Sequence, residues 1–238
     1  MNILILWMRK ISYPARFALM GSIIALGISY LGVSLYKVTD ANYEFSTREQ
    51  LGLSYIRPWL NLQIQLQTLR SQRVAAHEGE SKAWLADFEK ALNSPEQKST
   101  AAELALKTEA LSSAVQVLSQ AQSGAAAEAA LGKLSAAITL LIADACDLSN
   151  LTLDPDIDTY YLMDSVCFRL PAYQDLNGEQ MSRSLLALSQ IEEHRNRLIE
   201  LRPLGQQNLD LVSGNLVRVG NYNPAMKNRF DASFAQTT

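Results

Sequence analysis

Glycine and proline are scarce in this sequence, which contains 11 glycines and 7 prolines among its 238 residues. Both residues interrupt helices and mark turns, so a chain with few of them can form long continuous helices. Alanine, leucine, glutamine, serine and glutamate are frequent instead, and this usage favours helix over sheet. The composition therefore predicts an all-α protein with almost no strand.

Motifs that mark common enzyme and metal sites are also absent. The sequence contains no Walker loop, dinucleotide-binding fingerprint, paired-cysteine zinc pattern, HExxH motif or nucleophile elbow. The acids of residues 154–158 have the spacing that opens a calcium loop, but Thr159 replaces the required glycine and Ser165 the required bidentate acid. His77 and His194 stand alone and are interpreted as surface or loop histidines. We expect no catalytic residue, no metal site and no cofactor, and therefore predict that the chain is not an enzyme.

Positive charge is concentrated near the start of the chain. Arg9, Lys10 and Arg16 are the only charged residues before Phe17, and the rest of the chain carries 18 basic against 24 acidic residues. A protein that binds nucleic acid presents a basic face, which this balance does not supply. We therefore expect no nucleic-acid partner.

One long apolar run follows these basic residues. Residues 17–36 contain no charged side chain and are numerous enough to cross about 30 Å of hydrocarbon as a helix. A cleaved signal peptide is the alternative, but its apolar core is usually only about 7–15 residues long, and residues 32–34 offer only a weak cleavage site. Because basic residues stay on the cytoplasmic side, we predict a cytoplasmic segment 1–16, a single inner-membrane helix 17–36 and a periplasmic region 37–238.

Apolar residues recur at helical spacing in several stretches of the outer region. The first stretch continues the predicted transmembrane helix, with Pro58 expected to kink it near Arg57. Residues 94–97, Ser-Pro-Glu-Gln, form a capping box that starts a further helix. We predict an elongated antiparallel helical bundle, either four-helix or bimodular. Its seams consist of Leu51, Tyr55, Trp59, Leu62, Leu66 and Leu69, of Leu104, Thr108, Leu111, Val115 and Leu118, and of Leu131, Leu134, Ile138, Leu141, Ala145 and Leu148.

Helix-start signals place the tip of a helical hairpin near residue 155. Asp154 suits the cap, Pro155 suits the first helical position, and the following acids lie at the positive end of the new helix. Further on, Pro171 is predicted to end an apolar face, and residues 177–178, Asn-Gly, are predicted to form a turn.

The sequence contains only two cysteines, Cys146 and Cys167. They lie at nearly equal distances from the predicted tip, so an antiparallel hairpin would place them at the same height on neighbouring helices. A disulfide in the oxidising periplasm and two separate buried thiols are both compatible with this placement.

The tip resembles a known sequence signature. Residues 149–164, Ser-Asn-Leu-Thr-Leu-Asp-Pro-Asp-Ile-Asp-Thr-Tyr-Tyr-Leu-Met-Asp, are similar to a run found in one group of bacterial transmembrane receptors. Residues 52–60, Gly-Leu-Ser-Tyr-Ile-Arg-Pro-Trp-Leu, resemble the first-helix pattern of the same group, which continues with a His-Arg pair where this chain has Gln72 and Arg73. In these receptors, helical sensor modules outside the membrane precede methyl-accepting chemotaxis, sensor histidine-kinase or diguanylate-cyclase output parts.

This resemblance implies a sensory function. The outer region would be the periplasmic ligand-sensing portion of an inner-membrane receptor that acts as a homodimer and signals by displacement of its transmembrane helix. Such a receptor needs a returning span and an output domain, so we expect this chain to be an N-terminal fragment, with any catalytic domain beyond Thr238. The alternative is a single-span helical adaptor or assembly protein of the cell envelope.

Arginines and tyrosines supply the candidate ligand contacts. Arg57, Arg70 and Arg73 lie beside apolar residues on the first outer helix, and a guanidinium can bind a carboxylate through two hydrogen bonds. Solvated or salt-bridged arginines are the alternative. Tyr160 and Tyr161 offer stacking surfaces, with core packing as the alternative. We therefore predict a small-molecule ligand, with an anionic one favoured.

Overall fold

A computed structural model describes residues 12–74, 79–121, 124–153, 156–187 and 191–235 of the chain. Within these ranges every regular element is helical and no strand occurs, which confirms the predicted all-α class. A 3-10 turn, Leu151–Leu153, follows α5, and a π-helical segment, Asp164–Arg169, joins α6 to α7. The α-helices are α1 (Tyr13–Val74), α2 (Gly79–Asn93), α3 (Pro95–Glu103), α4 (Glu109–Gln120), α5 (Ala125–Leu148), α6 (Ile157–Met163), α7 (Leu170–Leu186), α8 (Ile191–Tyr222) and α9 (Pro224–Ala235).

The chain divides into two compact units, Met1–Thr47 and Arg48–Thr238, and α1 contributes to both. In the first unit, the apolar part of α1 contains no buried residue and is long enough to cross a membrane. Helix α5 is also long and apolar enough, but half of its apolar window is buried inside the second unit. Length and composition thus give two candidate spans. Residues 1–11 of the predicted cytoplasmic segment lie outside the described residues.

The second unit contains an antiparallel four-helix bundle of α1, α5, α6–α7 and α8. Polar contacts between α1 and α5 show the antiparallel direction, because Gln63 pairs with Thr139 while Arg70, further along α1, pairs with the earlier residue Glu128. Helix α7 runs parallel to α1, because Gln63 also donates to the Pro171 carbonyl and Arg70 binds the later residue Asp175. Helix α8 returns antiparallel to the path of α6 and α7, because Asn215 binds Asp164 while the earlier residue Arg197 binds the later residue Glu179. Asn223, just after α8, binds Asp158 of α6.

The predicted seams form most of the core. On α1, Leu51 is only partly buried, whereas the other five residues of the predicted seam are buried. Helices α2 and α4 add smaller apolar faces to the same cluster through Trp84, Phe88 and Leu111. The buried residues of the two long seams are Tyr55, Trp59, Leu62, Leu66 and Leu69 on α1 and Leu131, Leu134, Ile138, Leu141 and Ala145 on α5.

Glycine allows α1 to approach two other segments closely. The predicted turn at residues 177–178 is wrong, because both residues lie inside α7 and Gly178 is buried against α1. A Cβ atom at Gly178 would collide with the Gln67 side chain, and one at Gly52 would collide with the Ser149 side chain. Both glycines therefore serve close packing rather than a turn.

Pro171 does not end the helix as predicted. The helical path continues from α6 through the π-helical segment into α7, where Pro171 lies near the first turn. The Leu170 N–H donates to the Ser165 carbonyl five residues earlier, which is the π-helical pattern. A wider turn accommodates a ring that lacks an N–H. Likewise, α1 continues through Pro58. Of the predicted capping box only the N-cap bond forms, because the Gln97 N–H donates to Ser94 Oγ whereas the Ser94 N–H donates to the Ala91 carbonyl.

Cys146 on α5 and Cys167 in the π-helical segment form a disulfide, and both residues are fully buried. The hairpin places them at the same height, so of the two compatible arrangements the structure contains the bridge. The residues of the tip itself, Asp154 and Pro155, lie outside the described residues.

We predict that the unreduced chain, expressed with export to the periplasm and then unfolded, contains no titratable thiol. The bridge links residues separated by 21 positions, and closing a loop of this size stabilises the fold by about 3 kcal/mol, mainly through the unfolded state. Thiol titration before and after reduction measures the change. A Cys146→Ala/Cys167→Ala variant provides the zero-thiol control, and two thiols in the unreduced wild type would contradict the prediction.

Candidate ligand site

Charged side chains from all four bundle helices meet at the end of the bundle away from the hairpin tip. They form two groups of ion pairs, one centred on Arg70 and the other on Glu179. The set consists of Arg70 on α1, Glu128 on α5, Asp175, Glu179 and Arg183 on α7, and His194 and Arg197 on α8.

Arg70 lies at the centre of the first group, with only 2% of its side chain exposed. Its Nη2 and Nε donate to the two carboxylate oxygens of Glu128 at 2.6 and 3.4 Å. Its Nη1 donates to the Asp175 carboxylate at 2.9 Å and to the Asp175 carbonyl at 3.0 Å. A guanidinium can be buried only when such partners replace its water. Arg70 therefore joins three helices through ion pairs.

Glu179 lies at the centre of the second group. It accepts hydrogen bonds from Arg183 Nε at 2.6 Å and from Arg197 Nε and Nη2 at 2.9 and 3.0 Å. Burial by itself would raise the pKa of Glu179, but the hydrogen bonds and charges of Arg197 and Arg183 outweigh it and hold this pKa below its ordinary value. The same pairing raises the pKa of Arg197. This group therefore joins α7 to α8 in its ionised form.

We predict that acid weakens the α7–α8 contact through Glu179. A carboxyl whose folded pKa is lowered stabilises the fold above its unfolded pKa, here 4.5, and loses that contribution as the pH falls through the folded value. Between pH 6 and pH 3, the wild type should lose on the order of 1 kcal/mol more stability than Glu179→Gln.

Urea titrations of the full chain at several pH values measure this difference. Glu200 is the matched control, because it pairs with Arg197 on the exposed side of α8. Glu200→Gln removes the same charge from an exposed partner of Arg197 and provides the reference curve, and parallel curves for wild type and Glu179→Gln would contradict the prediction.

A cavity of about 360 Å³ adjoins both charged groups. Ligand sites for small molecules begin at about 300 Å³, so a small molecule has room here. The lining combines both signs of charge with small residues of α5, which leave space beside the ion pairs. It includes Arg70, Glu128, Ala129, Gly132, Asp175, Glu179, Arg183 and His194.

His194 is the residue of this cavity with an unmet hydrogen bond. The expectation of a surface or loop histidine is wrong for His194, which is only 4% exposed. Its Nδ1 lies 3.4 Å from Arg183 Nη1. A guanidinium can only donate, so we assign Nδ1 as the acceptor and the proton to Nε2. This buried Nε2 has no hydrogen-bond partner in the described part of the chain, and an unpaired buried donor costs about 1–3 kcal/mol.

The inward position of His194 had a sequence signal that its polar surroundings obscured. His194, Arg197 and Leu201 follow one another at helical spacing, and Leu201 is fully buried. They therefore share a face of α8 that packs inward. Six of the 19 residues 190–208 are charged and several others are polar, a pattern typical of a solvated helix.

The predicted ligand residues are not brought together. Only Arg70 lines the cavity, Arg57 is exposed elsewhere on α1, and the side chain of Arg73 lies outside the described residues, as does His77. Tyr160 and Tyr161 lie near the hairpin tip with ring centroids 5.5 Å apart, at the other end of the bundle. Arg218 lies 4.9 Å from the Tyr161 ring centroid and forms a cation–π contact. Ligand binding by these residues remains a prediction.

No cluster of three or more histidines, cysteines or acids that could hold a metal ion occurs among the described residues. Comparison of the chain with protein-family models, curated proteins and solved structures finds no match in any of the three.

Proposed function

We propose that residues 37–238 are the periplasmic ligand-sensing portion of an inner-membrane signal-transduction receptor of the chemotaxis or two-component type. The observation that supports this proposal is the cavity beside Arg70, because residues of α1, α5, α7 and α8 all line it. A ligand that prefers one arrangement of these four helices over another shifts the population toward that arrangement.

Helix α1 is the element that would carry the displacement. It contains both Arg70, which lines the cavity, and the apolar residues 17–36, which we propose to span the inner membrane with residues 1–16 in the cytoplasm. At the end of the bundle near the tip, Gly52 packs on Ser149, and Asn223 after α8 binds Asp158 at 2.8 Å. The Gly52 part of α1 and the C-terminal end of α8 thus lie at the same end of the bundle, which supports a receptor whose chain enters and leaves on one side.

The proposed ligand is a small polar molecule that presents a hydrogen-bond acceptor. His194 Nε2 supplies an unpaired donor, and Arg183 contributes a guanidinium that is about a quarter exposed. A carboxylate satisfies both groups, which supports an anionic ligand. Arg70 is fully engaged with Glu128 and Asp175, so a ligand would have to displace one of these acids to bind it.

A chimeric receptor tests this function. Residues 1–238 replace the corresponding region of a characterised receptor histidine kinase, and autophosphorylation is measured in membranes with amino acids, organic acids and sugars. We expect at least one carboxylate to change the kinase rate. Ala129→Phe, which fills the cavity, should abolish the response, whereas Ala126→Phe on an exposed part of the same helix should not. A compound that binds the cavity without changing the rate would contradict the sensory function.

A single-span adaptor or assembly protein is the second candidate. It is supported by exposed apolar side chains on α8, namely Ile199, Val217 and Tyr222. These exposed side chains would also serve a homodimer. Sedimentation of the full chain in detergent distinguishes the two candidates. The receptor proposal expects a homodimer, and the adaptor proposal expects a monomer when its partner protein is absent.

A further inference from the structure

A second cavity lies in the Arg48–Thr238 unit, between α1 and the shorter helices α2, α3 and α4. Its volume is about 360 Å³, and its lining shares no residue with the cavity beside Arg70. The two cavities differ in chemistry, because ion pairs of both signs line the first and mainly aromatic, aliphatic and neutral polar groups line the second. The second is lined by Tyr55, Trp59, Leu92, Asn93, Gln97, Lys98, Ala101, Ala102, Leu106, Thr108 and Ser112.

Two aromatic rings form one wall of this second cavity. Tyr55 and Trp59 line it although each is only 1% exposed to solvent. Trp59 Nε1 donates to Gln97 Oε1 at 3.1 Å, and the Trp59 ring packs edge-on against Phe88 at 5.6 Å. The indole is therefore fixed by contacts on α2 and α3. Because so little of either ring is exposed, this wall favours a flat apolar group that packs against the ring edges.

Charge in this cavity has a single sign. Among the described residues that line it, Lys98 alone is charged, and it is exposed and forms no ion pair within the described chain. Neutral polar groups of Asn93, Thr108 and Ser112 complete the polar part of the lining. A lone ammonium beside apolar walls is complementary to a molecule with one negative group.

We propose that this second cavity binds an aromatic monocarboxylic acid, with its ring against Tyr55 and Trp59 and its carboxylate paired with Lys98. Burial of the ligand ring in the cavity supplies most of the binding free energy. The ammonium supplies the preference for an acid over a neutral molecule of the same shape. This proposal is independent of the sensory function and stands or falls on binding alone.

Fluorescence of Trp59 tests the proposal directly. The chain has three tryptophans, so a Trp7→Phe/Trp84→Phe background of the full chain in detergent leaves Trp59 as the only indole. Benzoate, phenylacetate and indole-3-acetate are titrated, with benzamide as the neutral counterpart of benzoate. We expect a saturable change in Trp59 emission with at least one acid and much weaker binding of the amide.

Matched variants identify the groups responsible. Lys98→Gln should weaken the best acid about 10-fold, since a charge-assisted bond is lost, and should leave benzamide unchanged. Lys107→Gln removes the same charge from an exposed residue outside the cavity and should have no effect. Ala102→Phe should abolish binding by filling the cavity, and Ala110→Phe on exposed α4 surface should not.

Three results would overturn the proposal. The first is no saturable change with any of the three acids at millimolar concentration. The second is equal affinity for benzoate and benzamide, which would remove the role of Lys98. The third is an affinity that Ala102→Phe leaves intact, because binding would then lie outside the cavity.

Discussion

Replacing Arg70 with methionine is expected to lower the free energy of unfolding by about 3–5 kcal/mol. Methionine keeps the unbranched stem but removes the guanidinium that pairs with Glu128 and Asp175. The Glu128 side chain is only 7% exposed, so its charge would remain buried without a partner. Urea unfolding of the full chain in detergent, followed by circular dichroism, measures the loss.

Two further variants separate this effect from general damage to α1. Arg57 is exposed on the same helix, and Arg57→Met should change stability by no more than about 0.5 kcal/mol. Adding Glu128→Leu to Arg70→Met should restore part of the loss, because both buried charges are then removed. If Arg70→Met abolishes ligand binding but leaves stability intact, Arg70 is the ligand anchor that the sequence predicted and not a structural centre.

Truncating Leu134 to alanine is expected to cost about 2–5 kcal/mol. Leu134 is fully buried in the seam of α5, so the truncation removes apolar contacts and leaves a void that close packing cannot fill. The same change at Leu140, which is 65% exposed on the same helix, should cost no more than about 0.5 kcal/mol. Equilibrium unfolding of the two variants under identical conditions gives the comparison.

The pair also distinguishes two environments for α5. A bundle helix is buried on one face only, so Leu134 and Leu140 should differ strongly. A helix that is covered on all faces, by lipid or by another subunit, would lose stability at both positions. Equal costs at the two leucines would therefore contradict the description of α5 as a bundle helix with a free outer face.

The helical class and the main seams were predictable because they depend on local periodicity. Leu131, Leu134 and Ile138 follow one another at intervals of three and four residues, and such a face must be buried wherever the helix packs. The hairpin alone predicted that Cys146 and Cys167 lie at the same height on neighbouring helices. The resemblance to bacterial receptors, by contrast, implied a function that only the proposed experiments can test.

Features that depend on contacts between distant segments could not be predicted. Gly178 has the sequence context of a turn, and only the approach of Gln67 from α1 explains why glycine is needed inside a helix. Arg70 was predicted to contact a ligand, whereas in the structure it pairs with Glu128 and Asp175, which lie 58 and 105 residues away in the sequence. A local sequence pattern cannot predict ion pairs between residues so far apart. Pro171 was predicted to end a helix because proline usually interrupts helices. The wider π turn before Pro171 has no recognisable sequence signal.

The bond between Cys146 and Cys167 also fixes how far the chain can be stretched. When its two ends are pulled apart, tension passes across the sulfur atoms and bypasses the 21-residue separation between the cysteines. Because an extended chain spans at most about 3.3–3.6 Å per residue, roughly 70 Å of contour length stays hidden until the bond is reduced. The hairpin tip therefore bears no load under a force that unravels the helices on either side.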